Sequence, residues 1–140
     1  FASQSYAPVS PTWGVNNRSV ALRIPAGNIA ARRIEHRPAG VDANPYLVAA
    51  TVLAGIRKGL AQQMDPGPET TGNGYEDGQD APPIPRDWRE AIVAATASAF
   101  LKDALGEDMH RTFCAIKTAE HARVARTISD VDYDLYLHTV

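Results

Sequence analysis

Residues 19–37 read SVALRIPAGNIAARRIEHR and decide the first part of the fold. In residues 19–25 apolar side chains alternate with small or charged ones, which is the period of a half-buried β-strand. A second strand is predicted over residues 31–37, and residues 25–30 have the glycine and asparagine content of a turn. The sequence therefore predicts a β-hairpin over residues 18–37.

The chain on either side of the hairpin divides into loops and a helix. Residues 1–17 are rich in turn-forming residues and are expected to be a loop. Asn44 can cap a helix and Pro45 suits its first turn, so the apolar residues that follow at helical spacing predict a helix over residues 45–64. Residues 65–85 contain so much proline and glycine that we expect a long exposed loop.

Apart from that loop, residues 45–140 are predicted to be mainly helical. Two helices, over residues 87–105 and 107–127, are separated by Gly106, because glycine commonly ends a helix. Residues 130–140 fit either a strand or one face of a helix, and their periodicity leaves both open. The resulting fold class is α+β, with an N-terminal β-hairpin followed by several α-helices.

The composition of the 140 residues is that of a soluble globular protein, with 44% hydrophobic and 21% charged residues. The net charge of -2 argues against a protein that binds nucleic acid or anionic membranes. The longest apolar stretch, residues 46–56, is too short to span a bilayer, and the N-terminus lacks the plan of a signal peptide. With a single cysteine, Cys114, the protein is expected to be cytoplasmic.

Positive charge is concentrated in the first part of the chain. Residues 1–37 hold one acid, Glu35, and the arginines Arg18, Arg23, Arg32, Arg33 and Arg37. Every other acidic residue comes at Asp42 or later. Such a local positive field favours a small anionic ligand.

The predicted strand at residues 31–37 carries the most informative charges. Its period of two places Arg33, Glu35 and Arg37 on one face, so that a carboxylate lies between two guanidiniums. Arg23 faces the same way if the hairpin pairs in register. One interpretation is a surface ladder of ion pairs, which stabilises a fold little. The other is a phosphate and carboxylate site, because guanidiniums bind both anions bidentately and the interposed carboxylate can hold a divalent cation.

Four short motifs in this region resemble the C-terminal catalytic half of glutamine synthetases. In chain order they are Asn17-Arg18-Ser19, Leu22-Arg23-Ile24-Pro25, Arg32-Arg33-Ile34-Glu35-His36-Arg37 and Ala43-Asn44-Pro45-Tyr46-Leu47. Their order and spacing make the resemblance specific. It extends along nearly the whole chain, so that residues 1–140 are similar to the C-terminal portion of the catalytic domain of this family.

The resemblance implies a role for each charged residue of the hairpin. Glu35 would ligate the divalent cation, Mg²⁺ or Mn²⁺, that accompanies ATP. Arg18 and Arg23 would contact phosphate oxygens, and Arg18 would be the catalytic residue that stabilises charge on the transferring group. Arg33 would lie along the nucleotide site, and Arg37 would bind a carboxylate of the glutamate substrate.

The activity that the resemblance implies is ATP-dependent formation of a γ-glutamyl amide. ATP phosphorylates glutamate, and an amine or ammonia then attacks the γ-glutamyl phosphate. The parent would be a homo-oligomeric ring. The chain alone, which begins at Phe1 without a methionine, is expected to be inactive because the rest of the site would lie upstream. The alternative is a non-catalytic structural or ligand-binding relative, although the retained charges favour the enzyme.

Two positions depart from the family pattern. Tyr6, in the run SYAP at residues 5–8, stands where many glutamine synthetases have a flap glutamate, and an aromatic residue there resembles the γ-glutamylpolyamine synthetase branch. Ala30 replaces a nucleotide-contacting lysine of many bacterial members. Elsewhere, His110 and Cys114 lie four residues apart on one helical face, which favours a packed cysteine beside a surface histidine over a zinc site.

Overall fold

The computed structural model describes residues 7–76 and 82–137, which form two units that divide between Asp87 and Trp88. Within these residues there are three strands, β1 (Trp13–Val15), β2 (Leu22–Ile24) and β3 (Glu35–His36), and five helices, α1 (Pro45–Ala61), α2 (Trp88–Ala97), α3 (Ala99–Leu105), α4 (Glu107–Val124) and α5 (Asp130–Tyr136). A short 3-10 turn covers Ile29–Ala31. The predicted α+β class is confirmed.

The strands form one small sheet in the order β1-β2-β3. Strands β2 and β3 pair antiparallel with Arg23 opposite Glu35, so the predicted hairpin is confirmed, although the paired strands are shorter than residues 18–37. The connection between them contains the 3-10 turn, which the Asn28 side chain caps by accepting a hydrogen bond from Ala31 N. The hairpin thus brings a guanidinium and a carboxylate face to face.

The strand β1 corrects the prediction that residues 1–17 are all loop. It pairs parallel with β2, and Gly14 lies opposite Arg23. Composition did not reveal this strand, because a ladder forms wherever backbone donors and acceptors of two segments meet, even in a stretch rich in turn formers. Residues 1–6 lie outside the described part of the chain.

Burial in the first unit centres on the segment that leads into β2. Val20 is fully buried and Ala21 is 4% exposed, whereas Leu22 is 39% exposed. Because two consecutive residues are buried, the alternation of a strand does not begin at Ser19, as predicted, but where β2 starts. The hairpin strand is therefore short, and a bend precedes it.

The predicted exposed loop at residues 65–85 is instead partly packed along β1. Thr70 and Gly74 are buried, and Thr70 N donates a hydrogen bond to the Trp13 carbonyl. The proline and glycine content correctly excluded a helix or a regular strand from the described part of this segment. It could not show that the segment packs against residues far away in sequence. Residues 77–81 lie outside the described part.

Helix α1 begins where it was predicted. The Asn44 side chain accepts hydrogen bonds from Tyr46 N and Leu47 N, and Pro45 occupies the first helical position. The helix ends at Ala61, within the last predicted turn. It buries none of its residues against the described part of the chain.

In the second unit, the helix predicted over residues 87–105 is two helices, α2 and α3. Ser98 is the N-cap of α3, and its hydroxyl accepts a hydrogen bond from Leu101 N at 3.1 Å. Across the break, His110 Nε2 of α4 lies 2.8 Å from the Ala95 carbonyl oxygen. These two side chains satisfy backbone groups that a continuous helix would pair internally, so the break is stable.

The C-terminal ambiguity is resolved in favour of a helix, α5. Ser129 and Asp132 form a capping box at its start. Helix α4 begins directly after Gly106, as predicted, and this residue has a φ of 80°, which glycine adopts without strain. Residues 138–140 lie outside the described part. None of the described helices combines the length and the apolar character needed to cross a membrane.

Candidate functional site

The hairpin places two guanidiniums on one carboxylate. Arg23 Nη1 lies 2.8 Å from Glu35 Oε2, and Arg33 Nη2 lies 3.1 Å from Glu35 Oε1. The side chains of Arg23 and Glu35 are 15% and 28% exposed, so this pair is largely shielded from water, whereas the Arg33 side chain is 61% exposed. The structure therefore brings these three predicted residues together, and each carboxylate oxygen accepts from a different arginine.

The charge state of Glu35 follows from these contacts. The hydrogen bond from Arg23 is the main cause that holds the pKa of this carboxyl group below its ordinary value. Partial burial opposes the shift, while the charge of Arg23 and the contact with Arg33 add to it. Glu35 is therefore an anion at neutral pH. A carboxylate has about four acceptor positions, so the two arginines leave room for a further ligand.

We expect Arg23→Met to raise the pKa of Glu35 toward the ordinary glutamate value, because the variant removes the strongest hydrogen bond to the ionised form. Arg33→Met should raise it less, since that contact is longer and more exposed. An NMR titration of the Glu35 carboxyl carbon measures both shifts. An unchanged pKa in Arg23→Met would contradict the assignment.

The same pKa shift gives the sign of a stability effect. Because the pKa of Glu35 is lower in the folded state than in the unfolded state, the pair stabilises the fold at pH values above the unfolded pKa. This stabilisation is lost as the pH falls through the folded pKa. Arg23→Met should therefore make the melting temperature less sensitive to pH in that acidic window.

Arg23 is also held by Asn16, which sequence reasoning treated only as a turn former. The Asn16 side-chain oxygen accepts from Arg23 Nη2 at 2.7 Å, and the Asn16 backbone N–H donates to the Ile24 carbonyl at 2.8 Å. Asn16 has a φ of 52°, a left-handed conformation that asparagine tolerates better than most residues. Arg23 is thus fixed from two sides. The signal in the sequence was the pair of asparagines directly after β1.

Arg37 and Arg18 form a second group in the same unit. Arg37 Nη2 donates a hydrogen bond to the Arg18 carbonyl at 2.8 Å. The Arg18 side chain is exposed, and within the described part of the chain its guanidinium has no hydrogen-bond or ion-pair partner. This corrects the prediction that the Glu35 carboxylate lies between Arg33 and Arg37: Arg23 of the paired strand takes the second place on the carboxylate, and Arg37 reaches the Arg18 carbonyl.

The histidine and cysteine of α4 make a structural contact. His110 and Cys114 are both buried, which corrects the expectation of a surface histidine. His110 Nε2 lies 3.7 Å from Cys114 Sγ and also contacts the Ala95 carbonyl, so it ties α4 to α2. Among residues 7–76 and 82–137, no three His, Cys, Asp or Glu side chains come together in a group that could hold a metal ion.

Of the two positions that depart from the family pattern, the structure describes Ala30 but not Tyr6. Tyr6 lies outside the described residues. The Ala7 carbonyl beside it accepts a hydrogen bond from the Tyr75 hydroxyl at 3.2 Å. Ala30 is exposed in the 3-10 turn and brings no charge to the site.

Comparison with known proteins identifies the family. The family model described as glutamine synthetase, catalytic domain, matches residues 1–136. This chain belongs to the glutamine synthetase family. It is 38% identical over 137 residues to the gamma-glutamylputrescine synthetase PuuA of Escherichia coli, an overlap of 98% of this chain and 29% of that protein.

Other members of the glutamine synthetase family support the same assignment. The chain is 32% identical over 137 residues to a glutamine synthetase of Halobacterium salinarum, which covers 94% of the chain and 30% of that protein. The solved GmaS/ADP complex matches with a TM-score of 0.79 at 30% identity, over 94% of this chain and 30% of that one. The resemblance drawn from the motifs is confirmed. The chain spans less than a third of the length of each of these relatives.

The glutamine synthetase family in general depends on ATP and a divalent metal ion, and residues of this chain fit part of such a site. Glu35 fits as one oxygen ligand, because its carboxylate is ionised, partly exposed and not saturated by the two arginines. Arg18 fits an anion, because its guanidinium is exposed and can fork around phosphate oxygens.

Proposed function

We propose that this chain is the C-terminal portion of the catalytic domain of an ATP-dependent ligase. The parent enzyme joins the γ-carboxylate of glutamate to an amine or ammonia through γ-glutamyl phosphate. The observation that carries the proposal is the cluster of Arg23, Glu35 and Arg33, an ionised carboxylate between two guanidiniums, in a chain of the glutamine synthetase family.

Exposed apolar side chains along α1 support the placement within a larger domain. Leu53 and Leu60 are 65% and 75% exposed, and Met64, just beyond the helix, is 58% exposed. The seven-residue spacing of Leu53 and Leu60 puts these two side chains on one side of the helix. Soluble proteins rarely leave a row of large apolar side chains in water, so we expect the rest of the parent to cover it.

The charged residues match what phosphoryl transfer requires. This reaction needs little covalent chemistry from the protein and depends on positioning and on cationic groups that stabilise spread negative charge. We assign Arg18 to the transferring phosphoryl group, and Arg23 and Arg33 to the phosphates and the nucleotide site. Glu35 would be one ligand of Mg²⁺ or Mn²⁺, which when bound neutralises phosphate charge. The other ligands would come from the rest of the parent.

Arg37 is assigned to a carboxylate of glutamate, as the family resemblance implies. Its hydrogen bond to the Arg18 carbonyl holds the guanidinium beside the residue assigned to phosphoryl transfer. A guanidinium fork suits a carboxylate because it can make two parallel hydrogen bonds. The arrangement would place glutamate next to the phosphoryl group that it receives.

The parent is expected to be a cytoplasmic homo-oligomeric ring. The ring is what the family resemblance implies for the whole protein, whereas the cytoplasmic location is a prediction from the sequence. Sedimentation of the purified parent measures the number of subunits.

The parent is expected to prefer a larger amine over ammonia, because Tyr6 stands in place of a flap carboxylate that would attract ammonium. An aromatic ring can pack on methylene groups and attracts a cationic head by about 0.5 to 2 kcal/mol. This range corresponds to roughly twofold to thirtyfold in relative rate. The measurement is kcat/KM of the parent with ammonia, putrescine, ethanolamine and an aromatic amine as nucleophiles.

Tyr6→Glu is the matched variant for this test and should move the preference toward ammonia. If ammonia is the best nucleophile of the wild type by an order of magnitude, the role given to Tyr6 is wrong and the parent is a glutamine synthetase proper. A parent that releases no ADP in response to glutamate with any amine would instead favour the non-catalytic alternative.

A further inference from the structure

The Asn17 side chain uses all of its hydrogen-bonding positions. Nδ2 donates to the carbonyl oxygens of Thr70 at 2.9 Å and Gly72 at 2.8 Å. Oδ1 accepts from the backbone N–H of Ser19 at 2.9 Å and from its hydroxyl at 2.7 Å. An amide side chain has two N–H donors and an oxygen with two lone pairs, so this one is saturated. Aspartate has the same shape but would face two carbonyl oxygens without a donor.

Asn17 attaches residues 67–75, which we call the brace, to the segment that carries Arg18. A second attachment lies close by, where Ser19 Oγ accepts a hydrogen bond from Gly74 N at 2.8 Å. A Cβ atom at Gly74 would lie 2.9 Å from the Ser19 carbonyl oxygen, so the two backbones are in direct contact. The brace thereby holds both chain neighbours of Arg18.

Arg18 itself is fixed at its backbone, whereas its guanidinium is exposed. The Arg18 carbonyl accepts from Arg37 Nη2 at 2.8 Å. A rigid backbone beneath a side chain that has no partner in the described part of the chain suits a residue that meets a ligand. Such rigidity matters, because a displacement of about 1 Å in a reacting group can lower a rate by about a hundredfold.

We propose that Asn17 is a positioning residue for Arg18, and that it sets the backbone from which the Arg18 guanidinium reaches the transferring phosphoryl group of ATP. This inference rests on the proposed function. In this role Asn17 does not touch the substrate and acts only through Arg18. If Asn17 merely stabilised the loop, the effect of its loss would not depend on whether Arg18 is present.

A double-mutant cycle in the full-length parent separates the two roles. We expect Asn17→Ala to lower kcat by about tenfold to a hundredfold in the wild-type background. In an Arg18→Ala background the same change should lower kcat by less than about twofold. The control is Asn44→Ala, which removes the two capping hydrogen bonds of another asparagine side chain, at the start of α1. It should lower the melting temperature and leave kcat within about twofold.

Ser19→Ala keeps the test decisive if Asn17→Ala folds poorly. It removes only the hydroxyl contacts to Asn17 and Gly74, and its smaller loss of kcat should also vanish when Arg18 is absent. If Asn17→Ala and Ser19→Ala lower kcat by the same factor whether or not Arg18 is present, the positioning role is overturned and the proposed function stands. A wild-type parent without ligase activity would overturn the proposed function, and the role of Asn17 with it.

Discussion

Glu35→Ala in the full-length parent is expected to lower kcat by about a thousandfold or more while the fold stays intact. In the role proposed for Glu35, the variant would remove one ligand of the divalent cation that accompanies ATP, and such a cation stabilises transition-state charge by several kcal/mol. Since about 1.4 kcal/mol corresponds to a factor of ten in rate, the loss amounts to near abolition of turnover. The measurement is steady-state ADP release at saturating magnesium, together with the melting temperature.

Two further variants show whether the charge of Glu35 or its packing is responsible. Glu35→Gln keeps an acceptor for Arg23 but removes the charge, and it should lose turnover almost as completely. Glu107→Ala breaks the exposed ion pair with Lys102, which has the same 2.8 Å separation as the pair of Arg23 and Glu35, and it should leave kcat unchanged. Near-normal turnover of Glu35→Ala with unchanged melting would reduce Glu35 to an ordinary ion-pair residue.

No glutamate- and amine-dependent release of ADP is expected from the 140-residue chain alone. The chain covers 29% of PuuA and 30% of the Halobacterium glutamine synthetase, so most of the sequence of such an enzyme is not in it. In its proposed role Glu35 would supply one carboxylate ligand, and a hard divalent cation takes several oxygen ligands. A coupled ADP-release assay with glutamate and several amines measures the activity directly.

The control for the isolated chain is its folding state. Circular dichroism should show the helical content of α1 to α5 before a lack of activity is attributed to missing residues. Adding the remainder of the parent as a separate polypeptide should restore turnover if the two parts reassemble. Turnover by the isolated chain would show that residues 1–140 contain a complete site, contrary to this expectation.

The helix ends show how far local chemistry predicts this fold. The Asn44 cap and Pro45 predicted the start of α1 because a cap needs only backbone groups two and three residues away. Gly106 predicted the boundary before α4 for a similarly local reason, its positive φ. The break at Ser98 was missed, since serine also occurs inside helices and the contact of His110 with Ala95 comes from a neighbouring helix.

In the candidate site, too, some contacts were predictable from local sequence and others were not. The period of two in a strand predicted that Arg33, Glu35 and Arg37 share a face. Arg33 does meet Glu35, and the hairpin register adds Arg23, whereas Arg37 contacts the Arg18 carbonyl. The roles of these residues in binding ATP, metal and glutamate stay predictions. The hydrogen bonds of the Asn16 and Asn17 side chains were not predicted, because a pair of asparagines in a turn is common and says nothing about which groups their side chains contact.

The sequence by itself determined the family, the α+β class, the hairpin and the charges that meet on it, because strand periodicity, helix capping and short motifs all depend on residues close together along the chain. Only the tertiary structure decided that β1 is a strand and that residues 67–75 pack along it. Two of the hydrogen bonds that hold that segment join Val15 to Glu69 and Asn17 to Thr70, across separations of 54 and 53 residues. Such contacts depend on how the whole chain brings backbone donors and acceptors together, which no local pattern records.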